Sequence, residues 1–135
     1  MMDFCTPAED IIRAIQSAHF DPKNRRVSPN LFEGTNNSVS RLKILPLEEI
    51  LAIFRQTLHN PPRVSLMGAG EISVEALQKV GAAYKDAIRI TVKICPTKRN
   101  PAHAEIPQKI SRGLAKQIIR VLKFYDQNGQ PLSDF

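Results

Sequence analysis

Residues 88–94, IRITVKI, alternate without a break, with Ile88, Ile90, Val92 and Ile94 on one side and Arg89, Thr91 and Lys93 on the other. Strict period-two alternation of β-branched residues predicts a strand with one buried face and one basic face. A chain that commits such a stretch to a sheet must cover its oily side. The remaining sequence therefore has to supply elements that pack on it.

Thr6-Pro7-Ala8-Glu9 carries the marks of a helix start, with Thr6 as cap, Pro7 at the first helical position and Glu9 completing a capping box. Ile11, Ile12, Ile15 and Ala18 follow at helical spacing, which predicts a helix to about His19, stopped by Asp21-Pro22. Residues 21–37 are rich in turn formers and read as a long loop pinned by Leu31 and Phe32. Residues 38–44 predict a strand. Pro46 opens a helix with the stripe Leu47, Ile50, Leu51, Phe54 and Leu58, and Asn60-Pro61-Pro62 stops it.

Residues 64–67 read as a short strand running into Gly68-Ala69-Gly70, followed by a helix over about 73–84 that Gly81 weakens. His103-Ala104-Glu105-Ile106 suits a short strand. The stretch 109–125, KISRGLAKQIIRVLKFY, places Ile110, Leu114, Ile118, Leu122 and Tyr125 on one helical stripe, with an end by Asn128-Gly129. This order predicts an α+β or α/β fold: a small mixed sheet packed by about four helices, in a single domain over 1–135.

A chain of 135 residues can bury enough surface to fold without staples. Its apolar runs fall short of the ~20 residues of a membrane span. The acidic start, MMDFCTPAED, lacks the basic and apolar regions of a signal peptide, so a cytoplasmic protein is expected. Cys5 and Cys95 then read as free thiols, without the spacing of a metal site.

Charge is the most informative part of the composition. Residues 1–66 hold eight Lys/Arg against seven Asp/Glu, whereas residues 67–135 hold eleven against six. Arg89 and Lys93 share the strand face, Lys98 and Arg99 follow on a loop, and Lys109, Arg112, Lys116, Arg120 and Lys123 recur every three or four residues. Five cations in that register repel one another along a helix. A one-sided basic field attracts nucleic acid or an acidic protein. The competing reading is the solvated side of an ordinary amphipathic helix. The chain has no Trp, which argues against single-strand stacking platforms.

Three smaller patterns carry chemistry. Gly68-Ala69-Gly70 between a strand and a helix resembles the opening of a dinucleotide fingerprint, with Ser73 in place of the third glycine and Lys98 and Arg99 available for a 2′-phosphate. The plainer reading is a tight turn. His103-Ala104-Glu105 echoes the H-x-E of zinc deaminases, but no cysteine follows residue 95 to complete that metal site. His103 and Glu105 would share a strand face as an acid–base or surface pair. Neighbouring Lys98 and Arg99 would lower the thiol pKa of Cys95, although an inert thiol at a strand end is the simpler expectation.

Arg26-Val27-Ser28 with Phe32, then Ser38-Val39, then His103-Ala104 with Ile106, resembles the R-V-S-x-x-x-F … S-V … H-A-x-I pattern of small uncharacterised bacterial proteins. The resemblance implies an accessory protein of a bacterial multi-component system and no assigned activity. The expected function is therefore non-catalytic binding, with the basic C-terminal face docking a polyanion or an acidic protein and no cofactor. The alternative is a small enzyme or NADP-like nucleotide binder using Gly68 and Gly70.

Overall fold

In a computed structural model, residues 3–133 are described apart from 22, 24 and 25. Nine strands are present among them: β1 (Asp10–Gln16), β2 (Phe20–Asp21), β3 (Arg26–Val27), β4 (Asn37–Arg41), β5 (Leu66–Ser73), β6 (Lys93–Ile94), β7 (His103–Ile106), β8 (Lys123–Asp126) and β9 (Pro131–Leu132). Three α-helices accompany them: α1 (Leu47–Leu58), α2 (Val74–Ala83) and α3 (Arg112–Arg120). Seven strands form one antiparallel sheet in the order β6-β7-β4-β1-β5-β8-β9, and β2 and β3 form a separate ribbon.

Helices cover both faces of the sheet. Ile50, Leu51 and Phe54 of α1 pack with Ile12, Ala14, Leu66, Ala69 and Tyr125 on one face. On the other, Val74 and Leu77 of α2 and Leu114, Ala115 and Ile118 of α3 pack with Ile11, Ile15, Ile72, Ala104 and Ile106. The class is mixed α and β as expected, but richer in sheet and poorer in helix.

The missing helix is the first. Asp10–Gln16 is a strand paired with β4 on one side and β5 on the other. Ile11, Ile12 and Ile15 suit a helical step, but they also suit a central strand buried on both faces, which reads as a nearly continuous apolar run. Three β-branched residues tip the choice toward the pleated form. The capping signal survives in another role. Glu9 N–H donates to Thr6 O at 3.1 Å and Thr6 N–H donates to a Glu9 carboxylate oxygen at 3.1 Å, which makes a turn into β1. That turn then receives the N-terminus of α2: Val74 N–H donates to Glu9 O at 2.9 Å and Glu75 N–H to Pro7 O at 3.0 Å. Pro22, assigned above as a helix stop, lies outside the described residues.

The alternation of 88–94 is kept in burial but not in pairing. Ile90 and Val92 are buried, yet only Lys93 and Ile94 pair as strand. The preceding backbone is held by side chains: Thr91 N–H donates to Gln108 Oε1 at 3.0 Å, and Gln78 Nε2 donates to Ile90 O at 3.1 Å. Gly81 explains the close approach of this segment to α2, since a Cβ there would stand 2.8 Å from Ile88 O.

The closing helix is shorter than its stripe. α3 ends at Arg120, where the N–H groups of Val121 and Leu122 close on Ile118 O and Ile119 O. The chain then enters β8, which covers the outer edge of β5. Tyr125 continues the helical count in sequence, but strand geometry turns it to the α1 face. Gly129 does adopt a positive φ of 83°, in the β8–β9 hairpin rather than at a helix end.

Candidate basic cleft and its surroundings

The fold distributes the expected basic residues over both faces. Arg112, Lys116 and Arg120 lie at i, i+4 and i+8 on exposed turns of α3, whose buried side carries Leu114, Ala115 and Ile118. Lys109 is exposed ahead of the helix, beside Ile110, which is tied to Gly34 by two backbone hydrogen bonds of 2.9 and 2.8 Å. Lys123 leaves the group altogether. It sits on β8 with Tyr125, on the α1 face, and its ammonium lies 5.4 Å from the Tyr125 ring centre.

Lys93 is opposite Glu105 in the sheet, and Glu105 is opposite Ser38, which alternation places on the α1 face as well. Arg99 is exposed on the rim of a cleft on that face, with Lys98 beside it in the chain. Arg89 is exposed beside α2, near Gln78 and Ala82. The strand and loop cations therefore do not extend the α3 stripe into one groove.

What α3 gains instead comes from a segment assigned above to the long loop. Ser28 caps a short 3-10 turn, Pro29–Leu31, which packs against α3, and the β2–β3 ribbon leads into it. Between ribbon and helix lies a cleft of about 550 Å³ lined by Arg26, Arg112, Lys116 and Arg120, with Pro29, Ile119 and Phe124 as apolar wall. Among the described lining residues Asp21 is the one acid. Arg112 also reaches Glu33 at 3.5 Å, a pair in which both side chains are exposed. Such a pair contributes little and exchanges readily with another anion. Arg26 was legible only as part of the R-V-S motif, because nothing in the linear order relates it to a helix about ninety residues later.

A second cleft, of about 560 Å³, opens on the α1 face. It exists because β1 and β4 part beyond the pair Ile12–Ser40. Arg13 crosses the gap: its Nη1 donates to Ser38 O and its Nε to Leu31 O at 2.6 Å, with the guanidinium 5.6 Å from the Phe32 ring centre. Burial pulls Arg13 down to about 10, so it stays charged at neutral pH. His19, Asn36, Ser38, Ser40, Asn100 and His103 supply the polar lining.

His19 is tuned by this setting. Its Nδ1 accepts the Gln16 N–H at 3.1 Å, and burial, followed by the charge of Arg13, pulls its pKa down to about 4. A base whose folded pKa lies below its unfolded value of about 6.5 stays neutral in the native state while the unfolded chain takes up a proton. Stability is therefore expected to fall as pH drops from about 6.5 toward about 4. Urea midpoints across that range should show the loss, and His19→Gln should flatten it. An equal pH slope in wild type and variant would refute the assignment.

Gly68 and Gly70 are not a phosphate-binding turn. They stand inside β5, opposite Ile15 and Arg13 on one side and Asp126 and Phe124 on the other. Their backbone amides belong to ladders rather than to a helix N-terminus, so these two glycines form no phosphate-cradling turn. Gly70 serves packing, since a Cβ there would come within 3.0 Å of Leu122 Cδ1.

The cluster that linear reading did not assemble is Cys95 with His103 and Glu105. Cys95 Sγ lies 3.4 Å from His103 Nδ1, and that nitrogen is 2.9 Å from Cys95 O. The Cys95 thiol is pushed up rather than down, by burial first and then by the charge of Glu105, in the direction of the inert thiol that was the simpler expectation. Comparison with protein-family models, with curated proteins and with solved structures finds no match for this chain.

Proposed function

We propose that this chain is a non-catalytic accessory binding protein that docks the phosphate backbone of a nucleic acid on α3 and the adjoining ribbon. The observation that supports this most directly is the convergence of Arg26 with Arg112, Lys116 and Arg120 around one cleft. Three arginines suit phosphate, because a guanidinium presents donors in a planar fork. The apolar wall of Ile119, Phe124 and Pro29 gives sugar and base a surface beside the charges. The likeness to small bacterial proteins noted from Arg26, Ser38 and His103 fits an accessory role in a multi-component system.

Fluorescence anisotropy with short DNA and RNA duplexes tests the reading. Affinity is expected to fall with salt along a log–log slope of about −3 to −4, close to one counterion per engaged cation. Reversing Lys116 and Arg120 together to Glu should abolish binding and change stability by less than about 1 kcal/mol, since both are exposed. Lys123→Glu, on the other face, should bind as wild type. Absence of binding at low salt would reject a nucleic acid and leave an acidic protein as the partner of this face.

A further inference from the structure

We propose that Cys95, His103 and Glu105 form a binding site for a single zinc ion that clamps the edge of the sheet. Their candidate ligand atoms all lie within 4.8 Å of one another. Tetrahedral zinc, with bonds of about 2.0–2.3 Å, holds its ligands about 3.5 Å apart. The Sγ–Nδ1 separation of 3.4 Å already matches. Glu105 has three side-chain torsions with which to bring an oxygen into place. One thiolate, one imidazole and one carboxylate make a borderline-soft donor set, which favours zinc over magnesium or calcium.

The elements explain why the three meet. His103 and Glu105 alternate onto the same face of β7, and Cys95 follows directly on β6. Cys95 N–H donates to His103 O at 3.2 Å, which sets the two residues side by side. Beside that bond, β6 pairs with β7 over two residues, so an ion bridging them would secure the last strand of the sheet. Binding replaces the contact of Nδ1 with Cys95 O by the metal and releases the thiol proton to solvent. Three protein ligands leave a fourth position for water.

The test uses the full 135-residue chain, reduced and stripped with a chelator. Titration with Co2+ should give a thiolate-to-metal charge-transfer band that saturates at one equivalent and is bleached by Zn2+. Cys95→Ser should remove the band. His103→Ala and Glu105→Gln should weaken Co2+ affinity by at least the 10–100-fold that loss of a supporting partner alone costs. Cys5→Ser, at the buried thiol, should leave the band unchanged. Circular dichroism checks that each variant folds. If a variant does not, the wild-type and Cys5→Ser titrations decide: a charge-transfer band in both supports the site. No band with wild type, or a band that survives in folded Cys95→Ser, overturns it.

Discussion

Arg41→Met is expected to destabilise the protein by about 3–5 kcal/mol, because it strands a buried carboxylate. Arg41 Nε and Nη2 donate to the two oxygens of Glu9 at 2.8 and 3.0 Å, and the Glu9 side chain is only 4% exposed. Without Arg41 the carboxylate keeps the Thr6 N–H and the neighbouring Cys5 thiol but no compensating charge at hydrogen-bond distance. Glu9→Gln in the same chain removes the unpaired charge and should recover much of the loss. Urea unfolding of wild type, single and double variants measures both.

The hydrogen bond from Arg41 holds the Glu9 carboxyl below its ordinary value. A depressed acid contributes stability above its unfolded pKa, about 4.3, and loses it as pH falls through the lower folded value. The gap between wild type and Arg41→Met should therefore narrow in acid. A gap that stays constant from pH 7 to pH 3 would show that the pair contributes through packing alone. Cys5 lies in the same region, and burial, then Glu9, pushes its thiol up to about 11, which keeps it protonated and unreactive at neutral pH.

Truncating Ile12 or Ile15 to Ala is expected to cost about 2–5 kcal/mol each, since both are fully buried. The more telling quantity is their sum. Ile12 belongs to the α1 core and Ile15 to the α2–α3 core, on opposite faces of β1 and about 10 Å apart along the strand. Independent sites add to within about 0.5 kcal/mol. On a helix the same residues would share one face and one cavity, and their costs would couple. Strong non-additivity in the double variant would contradict the two-sided sheet.

Local chemistry was legible wherever one segment could meet its own needs. α1 begins at Pro46 and ends near the Asn60-Pro61-Pro62 stop, and α2 starts on the Ser73 cap, whose hydroxyl accepts the Ala76 N–H at 3.0 Å. The buried stripe Leu114, Ile118 and Leu122 was equally plain. Legibility failed where a residue's role depends on what lies across a strand. Gly68 and Gly70 look alike in a turn or a ladder, and the neighbours β1 and β8 decided between them.

By itself the sequence determined the apolar periodicities, the starts of α1 and α2 and the charge asymmetry, because these rest on interactions within a few residues. The tertiary structure alone decided that 10–16 is the central strand, that the cations divide between two faces, and that Arg26 joins α3. It also decided that Cys95 stands beside His103 and Glu105. The physical reason is common to all four. An ambiguous apolar run takes the form that buries both its sides, and a sheet brings together side chains by register, which separation along the chain does not encode.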